Sequence, residues 1–146
     1  MVSRVFVDTS ALLALLDRAD PRHGAARSAF EGLAEEDLVT HGYVVAESVA
    51  VTRRRLGVES VITLLDDLLP VVELVPVDPA THAAAQARYR ESLPSGTSFV
   101  DQVSLAVIER DGISTAFALD PDLALPGLTL LPPPDASECV GAGRPP

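Results

Sequence analysis

Apolar residues along this chain fall into two rhythms. Short runs of β-branched and aromatic residues alternate with longer stretches rich in Leu and Ala. Val5-Phe6-Val7 is an apolar run stopped by Asp8-Thr9-Ser10, which predicts a buried strand followed by a helix start. Residues 11–17 continue as a helix. Asp20-Pro21 predicts a second helix over 21–36, with Asp20 as N-cap and Pro21 in the first position. A short strand is expected at 38–40 and a third helix over 41–56, ended by Gly57. A fourth helix is expected over 58–69, stopped by Pro70. A strand at 71–77, an alanine-rich helix at 79–93 and a turn at Pro94-Ser95-Gly96 follow. Residues 98–110 read as a helix closing at Asp111-Gly112, docked on the sheet through Phe99, Val103, Ala106 and Val107. Residues 115–119 read as a strand and 128–131 as a last short one. Strands alternating with helices predict an α/β fold whose mostly parallel sheet is covered on both faces. Residues 132–146 hold five of the twelve prolines and little apolar bulk. They are expected to be disordered, leaving one domain over 1–131.

Composition narrows the chemistry. With 146 residues the chain can bury one substantial core. The formal charge is −10, from 21 acidic and 11 basic residues, and every basic residue is Arg. The absence of Lys removes Schiff-base chemistry and the phosphate-loop lysine. The acidic balance argues against nonspecific coating of nucleic acid, but not against cutting it at one metal-loaded site. The one cysteine, Cys139, excludes an internal disulfide. The apolar run 11–16 is too short for a membrane span or a signal-peptide core. The expectation is a cytoplasmic protein with no membrane partner.

Four acids stand in apolar surroundings: Asp8, Glu47, Asp101 and Asp120. Each has a local structural explanation. Asp8 can cap the following helix. Asp101 lies three residues after Ser98, the spacing of a capping box. Asp120 precedes Pro121 in a turn-opening pair. Glu47 has the weakest such account, because Val44-Val45-Ala46-Glu47-Ser48-Val49-Ala50-Val51 reads as a helix apolar on nearly all sides, and a buried unpaired carboxylate is costly. Arg53 to Arg55 lie beyond the next turn from it. Together the acids say more. Ligands of parallel α/β sheets bind beyond the carboxyl ends of the strands. Asp8 and Asp120 follow strands, and Asp101 sits in a first helical turn. Carboxylates about 4 Å apart repel by roughly 4 kcal/mol per pair at an effective dielectric of ~20. Such a cluster calls for a proton or a cation, and an all-oxygen set selects Mg²⁺ or Mn²⁺ over zinc.

The segments F-V-D-T-S-A-L-L-A-L-L-D, V-V-A-E-S, S-F-V-D-Q-V-S-L-A-V-I-E-R-D-G-I and T-A-F-A-L-D resemble the PIN-domain ribonucleases. Among these they are most similar to the VapC toxins of toxin–antitoxin pairs, over about residues 4–131. The resemblance implies a three-layer α/β/α sandwich and Mg²⁺-dependent endonucleolytic cleavage of RNA. It implies Asp8 and Asp101 as the main metal ligands, with Glu47 and Asp120 completing the site or orienting water. It also implies a cognate antitoxin over the acidic site and a homodimer. Thr9 and Ser10 could bond a ligand carboxylate or the scissile phosphate, although helix capping is the favoured role for both. The sequence departs from the family at Asp120-Pro121-Asp122-Leu123, where basic and aromatic residues are common. Either Asp120 or Asp122 can face the metal, and Asp120 is favoured because it directly follows the strand.

One or two Mg²⁺ ions in the cluster would generate hydroxide for in-line attack on a phosphodiester, with no need for lysine. Four ligand carboxylates and two such ions would leave the loaded protein near −6, starting from −10. RNA should then bind weakly and locally, and a basic antitoxin segment should bind well. A phosphohydrolase of the haloacid-dehalogenase type is the alternative enzyme, but it wants D-x-D and a later Lys. A receiver domain lacks support for the same missing Lys. A non-catalytic binding module is the remaining alternative. Arg53-Arg54-Arg55 is the only basic run. A solvated helix end is its favoured reading, and bidentate phosphate contacts are the competing one. His23, His41 and His82 are given no catalytic part, and Cys139 is read as inert.

Overall fold

The computed structural model describes residues 3–134. A parallel sheet of five strands lies at its centre in the order β3-β2-β1-β4-β5. The strands are β1 (Arg4–Val7), β2 (Asp37–His41), β3 (Glu73–Val75), β4 (Thr115–Phe117) and β5 (Thr129–Leu131). Six α-helices complete a three-layer α/β/α sandwich: α1 (Thr9–Leu16), α2 (His23–Gly32), α3 (Gly42–Arg55), α4 (Val58–Thr63), α5 (Pro79–Ser92) and α6 (Phe99–Asp111). β1 is central and pairs in parallel with β2 on one side and β4 on the other, through Phe6↔Val39 and Phe6↔Ala116. The chain builds outward from β1 to β3 and then crosses to β4 and β5. The strand order therefore reverses between β1 and β4, the crevice in which open α/β sheets bind ligands.

The main core joins Val5, Phe6 and Val7 of β1 to Leu12 of α1, Val39, Val44, Leu64 and Phe117. A second, smaller core lies between α5 and α6, where Ala85, Val103 and Ala106 meet Tyr43 and Phe99. The stripe expected to dock α6 on the sheet is thus divided. Phe99, Val103 and Ala106 face the second core, whereas Leu105, Val107 and Ile108 belong to the main one. Residues 101–108 are all buried, so α6 is an interior helix with two packed faces.

Several boundaries differ from those expected, each for a local reason. The helix expected over 21–36 is the shorter α2, and Asp20 is not its cap. The Asp20 carboxylate instead accepts from the Arg22 amide (2.8 Å), closing a turn that takes in Pro21. The helix expected over 58–69 is α-helical only to Thr63. It widens to a π turn at Leu64–Leu68 and tightens to a 3₁₀ turn at Leu69–Val71. Pro70 has no N–H to give and its ring crowds the preceding turn, so a regular helix cannot continue. β3 and β4 are shorter than expected. β4 stops at Phe117 because the amides of Leu119 and Asp120 turn toward the Ser10 hydroxyl. Gly112 ends α6 in the left-handed region (φ 64°), as the Asp111-Gly112 pair predicts.

Pro132 to Pro134 continue past β5 beside α2. The rest of the segment expected to be disordered, with Cys139, lies outside the described residues. Among the described residues no helix is long and apolar enough to cross a membrane.

Candidate active site

A cleft of about 510 Å³ opens at the carboxyl rim of the sheet, where β1 and β4 end. Asp8, Glu47, Asp101, Asp120 and Asp122 all line it. Asp8 leaves β1 in an extended conformation and caps α1, its Oδ2 accepting from the Ser10 amide (3.1 Å) and hydroxyl (2.6 Å). Capping and site-building are therefore one role at Asp8. Thr9 and Ser10, expected to cap, do not. Thr9 is buried and accepts from the Ser48 hydroxyl (3.2 Å). The Ser10 oxygen donates to Asp8 and accepts from the Leu119 (2.9 Å) and Asp120 (3.2 Å) amides. One hydroxyl thereby fastens the acid after β1 to the loop after β4.

Asp101 is held by the expected capping box. Its amide donates to Ser98 Oγ (3.1 Å) and its Oδ2 accepts from the Ser98 amide (3.3 Å). Asp120 accepts from the Asp122 amide (2.9 Å), which curls the loop so that both carboxylates turn the same way. As a result Asp101, Asp120 and Asp122 each offer an oxygen within 4.8 Å of the other two. Asp8 and Glu47 line the cleft outside this trio. The turn brings both Asp120 and Asp122 to Asp101, rather than Asp120 alone. Glu47 is half-buried rather than buried. The buried face of α3 is Val44, Ser48 and Thr52, while Ala46 and Ala50 are exposed. Small residues made the helix read as apolar all round.

Charge density follows from this packing. Burial raises the Asp8 carboxyl above its usual value, the Ser10 bonds oppose the rise, and the charges on Asp120 and Glu47 add to it. Burial is also the main cause that lifts Asp101 to about 6. The Ser98 bond opposes this, and Asp8 and Asp120 push further upward. The donor set is carboxylate oxygen throughout, closely grouped and short of countercharge. These residues fit a hard divalent cation of the Mg²⁺ or Mn²⁺ kind.

The family model for the PIN domain matches residues 5–126. The chain belongs to the PIN-domain family. Within it, this PIN domain is 29% identical over 132 residues to the 23S rRNA-specific endonuclease VapC20 of Mycobacterium tuberculosis, covering 88% of this chain and 98% of that protein. It is 39% identical over 64 residues to ribonuclease VapC26 of the same organism, covering 44% of this chain and 47% of that protein. The crystal structure of VapC20, a toxin that cleaves the sarcin–ricin loop, superposes with a TM-score of 0.77 at 28% identity, over 86% of this chain and 96% of that one. FitAcB from Neisseria gonorrhoeae shares the fold, with a TM-score of 0.65 at 18% identity over 87% and 96% of the two chains. This PIN domain is thus homologous to VapC-type ribonucleases.

Two residues of this PIN domain's cleft escaped the sequence. Asp20 and Arg22 line it from the turn before α2. The Arg22 Nη1 donates to the Leu119 carbonyl (3.1 Å), and its Nε lies 3.6 Å from the Asp20 carboxylate. Arg22 and Leu119 are 97 residues apart and no local pattern links them. Arg55, the last of the basic run, also lines the cleft, whereas the Arg53 and Arg54 side chains are exposed elsewhere on the end of α3. The three histidines make their contacts outside the cleft lining. His41 caps α3 by accepting from the Tyr43 amide (3.2 Å), and its Nε2 meets Ser104 Oγ at 2.9 Å. Burial pushes His41 down to about 4, so the ring is neutral. His82 pairs with the Tyr43 hydroxyl and His23 with the Ala14 carbonyl.

Proposed function

We propose that this protein is a divalent-cation-dependent endoribonuclease, the toxin of a toxin–antitoxin pair acting in the cytoplasm, that hydrolyses RNA phosphodiesters. The observation that carries the reading is the meeting of Asp101, Asp120 and Asp122 at the strand-order reversal, beside buried Asp8. The named activities of VapC20 and VapC26 support RNA as the substrate.

Asp101, Asp120 and Asp122 would hold Mg²⁺ or Mn²⁺, with Asp8 completing the ligand set. When bound, such an ion supplies Lewis-acid stabilisation of the phosphate oxygens and an acidified water. With a pKa of about 6, Asp101 is mostly ionised at neutral pH, ready to serve as a ligand. Glu47 stands in the cleft outside the trio, where its carboxylate accepts a hydrogen bond from water and orients it. Arg55 and Arg22 offer guanidinium groups to the RNA backbone from the cleft wall. Ser10 holds Asp8 and the 119–120 amides in fixed relation, so the acids are pre-positioned before substrate arrives.

A protein partner is part of the proposal. Val58, Ile62 and Leu65 form an exposed apolar stripe along α4 and the turn after it. That surface supports docking of an antitoxin helix or a second copy of the chain, and a basic antitoxin segment suits the acidic cleft. The site is tested with Asp120→Asn and Asp122→Asn. Each is expected to lower Mn²⁺ affinity and RNA cleavage by at least about tenfold while still melting in one cooperative transition. Wild-type affinity and cleavage in both variants would remove the trio from the site.

A further inference from the structure

A second hollow, of about 280 Å³, adjoins the acidic cleft at the same rim of the sheet. The two share Arg22, Leu119 and Pro121, so the loop that carries Asp120 is the wall between them. Their linings differ in kind. The cleft is lined by acids, whereas among the described residues no carboxylate lines the hollow. Ala25, Pro121, Leu130, Pro132 and Pro133 give it flat apolar walls, and Arg22 is its one charged side chain among the described residues. That guanidinium is oriented by the Leu119 carbonyl and Asp20 while its side chain stays 41% exposed. Such a hollow repels neither a base nor an aromatic ring, and it offers nothing to a cation. It is at the small end of ligand pockets, with room for one planar group rather than a length of chain.

We propose that this hollow takes one unpaired nucleobase next to the scissile phosphate, stacked against Arg22, and so helps to choose where the RNA is cut. The proposal rests on the ribonuclease reading above. Single-stranded RNA is recognised through splayed bases stacked on aromatic rings or guanidinium planes. A nucleotide whose phosphate lies over the Asp120 loop has its base within reach of the hollow, because that loop lines both. Net charge adds a reason. A chain at −10 gains little from general phosphate attraction, so a base-stacking contact supplies affinity that the backbone contacts lack.

The test uses RNA oligonucleotides spanning a mapped cut site, each with a single abasic residue at one position flanking the scissile bond. The wild-type protein is expected to lose at least about fivefold in kcat/KM for one abasic position. Ala25 is exposed on α2 at the mouth of the hollow, so Ala25→Leu fills it without touching the core. That variant is expected to cut the intact oligonucleotide as poorly as the wild type cuts the abasic one, and to lose nothing further when the base is removed. Arg22→Lys, which keeps the charge but not the plane, is expected to narrow the same gap. Wild-type cleavage indifferent to every abasic position overturns the proposal and leaves the ribonuclease reading standing. A full intact-versus-abasic gap in both variants also overturns it. Absence of metal-dependent cleavage on any RNA overturns the ribonuclease reading and this proposal with it.

Discussion

Asp101 carries the conflict between folding and function in this protein. It is 7% exposed, closes the capping box of α6 and feels the charges of Asp8 and Asp120. Asp101→Asn keeps an oxygen for the Ser98 amide and removes the buried charge. Its expected outcome is loss of RNA cleavage together with a higher melting temperature in chelator at neutral pH. The rise is about 3 °C for each kcal/mol of relieved repulsion. A melting curve in EDTA checks it, and a lower melting temperature would show that the charge stabilises the fold. The acids that follow strands, Asp8 and Asp120, could be read from the sequence because strand ends are visible in it. Arg22 and the dual role of Ser10 could not, because their partners lie about a hundred residues away and meet only across the assembled sheet.

At the scale of elements, the sequence was informative where one pattern had one cause. β1, α3, α5 and the Gly112 stop follow from apolar runs, caps and breakers. It was less informative where two packing surfaces shared a helix. On α6 the apolar stripe serves a second core as well as the sheet, and on α3 small residues hid a solvent-facing side. The α3 interface has one further feature. Thr52 is fully buried and its Oγ1 has no hydrogen-bond partner among the described residues. A buried hydroxyl left unpaired costs about 1–3 kcal/mol. Thr52→Val keeps the shape and removes the polar atom, so it is expected to raise stability by up to about 1 kcal/mol without altering cleavage. Denaturant unfolding measures this, and destabilisation would mean that the hydroxyl is satisfied in solution.

For the whole molecule, the clustered acids link stability to pH and metal. Asp8 and Asp101 both have raised carboxyls, Asp101 from 3.8 to about 6. Below about pH 4 these groups are protonated in both folded and unfolded chains and contribute nothing. Between about pH 4 and 6 the folded chain keeps protons that the unfolded chain has released, so stability from this source falls as pH rises. Above about pH 6 Asp101 is ionised in the folded chain as well, and its repulsion is fully present. A divalent cation binds the ionised folded form, so its stabilising effect grows over the same range. The rise in melting temperature on adding Mn²⁺ is therefore expected to be larger near pH 7.5 than near pH 5. Equal shifts at both would separate the metal from these carboxylates.

The central claim is hydrolysis of RNA at the carboxylate cluster by water. It is tested most directly by incubating total RNA with the purified protein and mapping both the positions and the chemistry of the new ends. Attack by water in line with the leaving 3′ oxygen leaves a 5′-phosphate and a 3′-hydroxyl, whereas attack by the neighbouring 2′-hydroxyl leaves a 2′,3′-cyclic phosphate. Discrete cuts with 5′-phosphate and 3′-hydroxyl ends are expected with Mg²⁺ or Mn²⁺, and are expected to vanish in EDTA and in Asp101→Asn. Cuts that persist in EDTA or in that variant, or that end in cyclic phosphate, would contradict it.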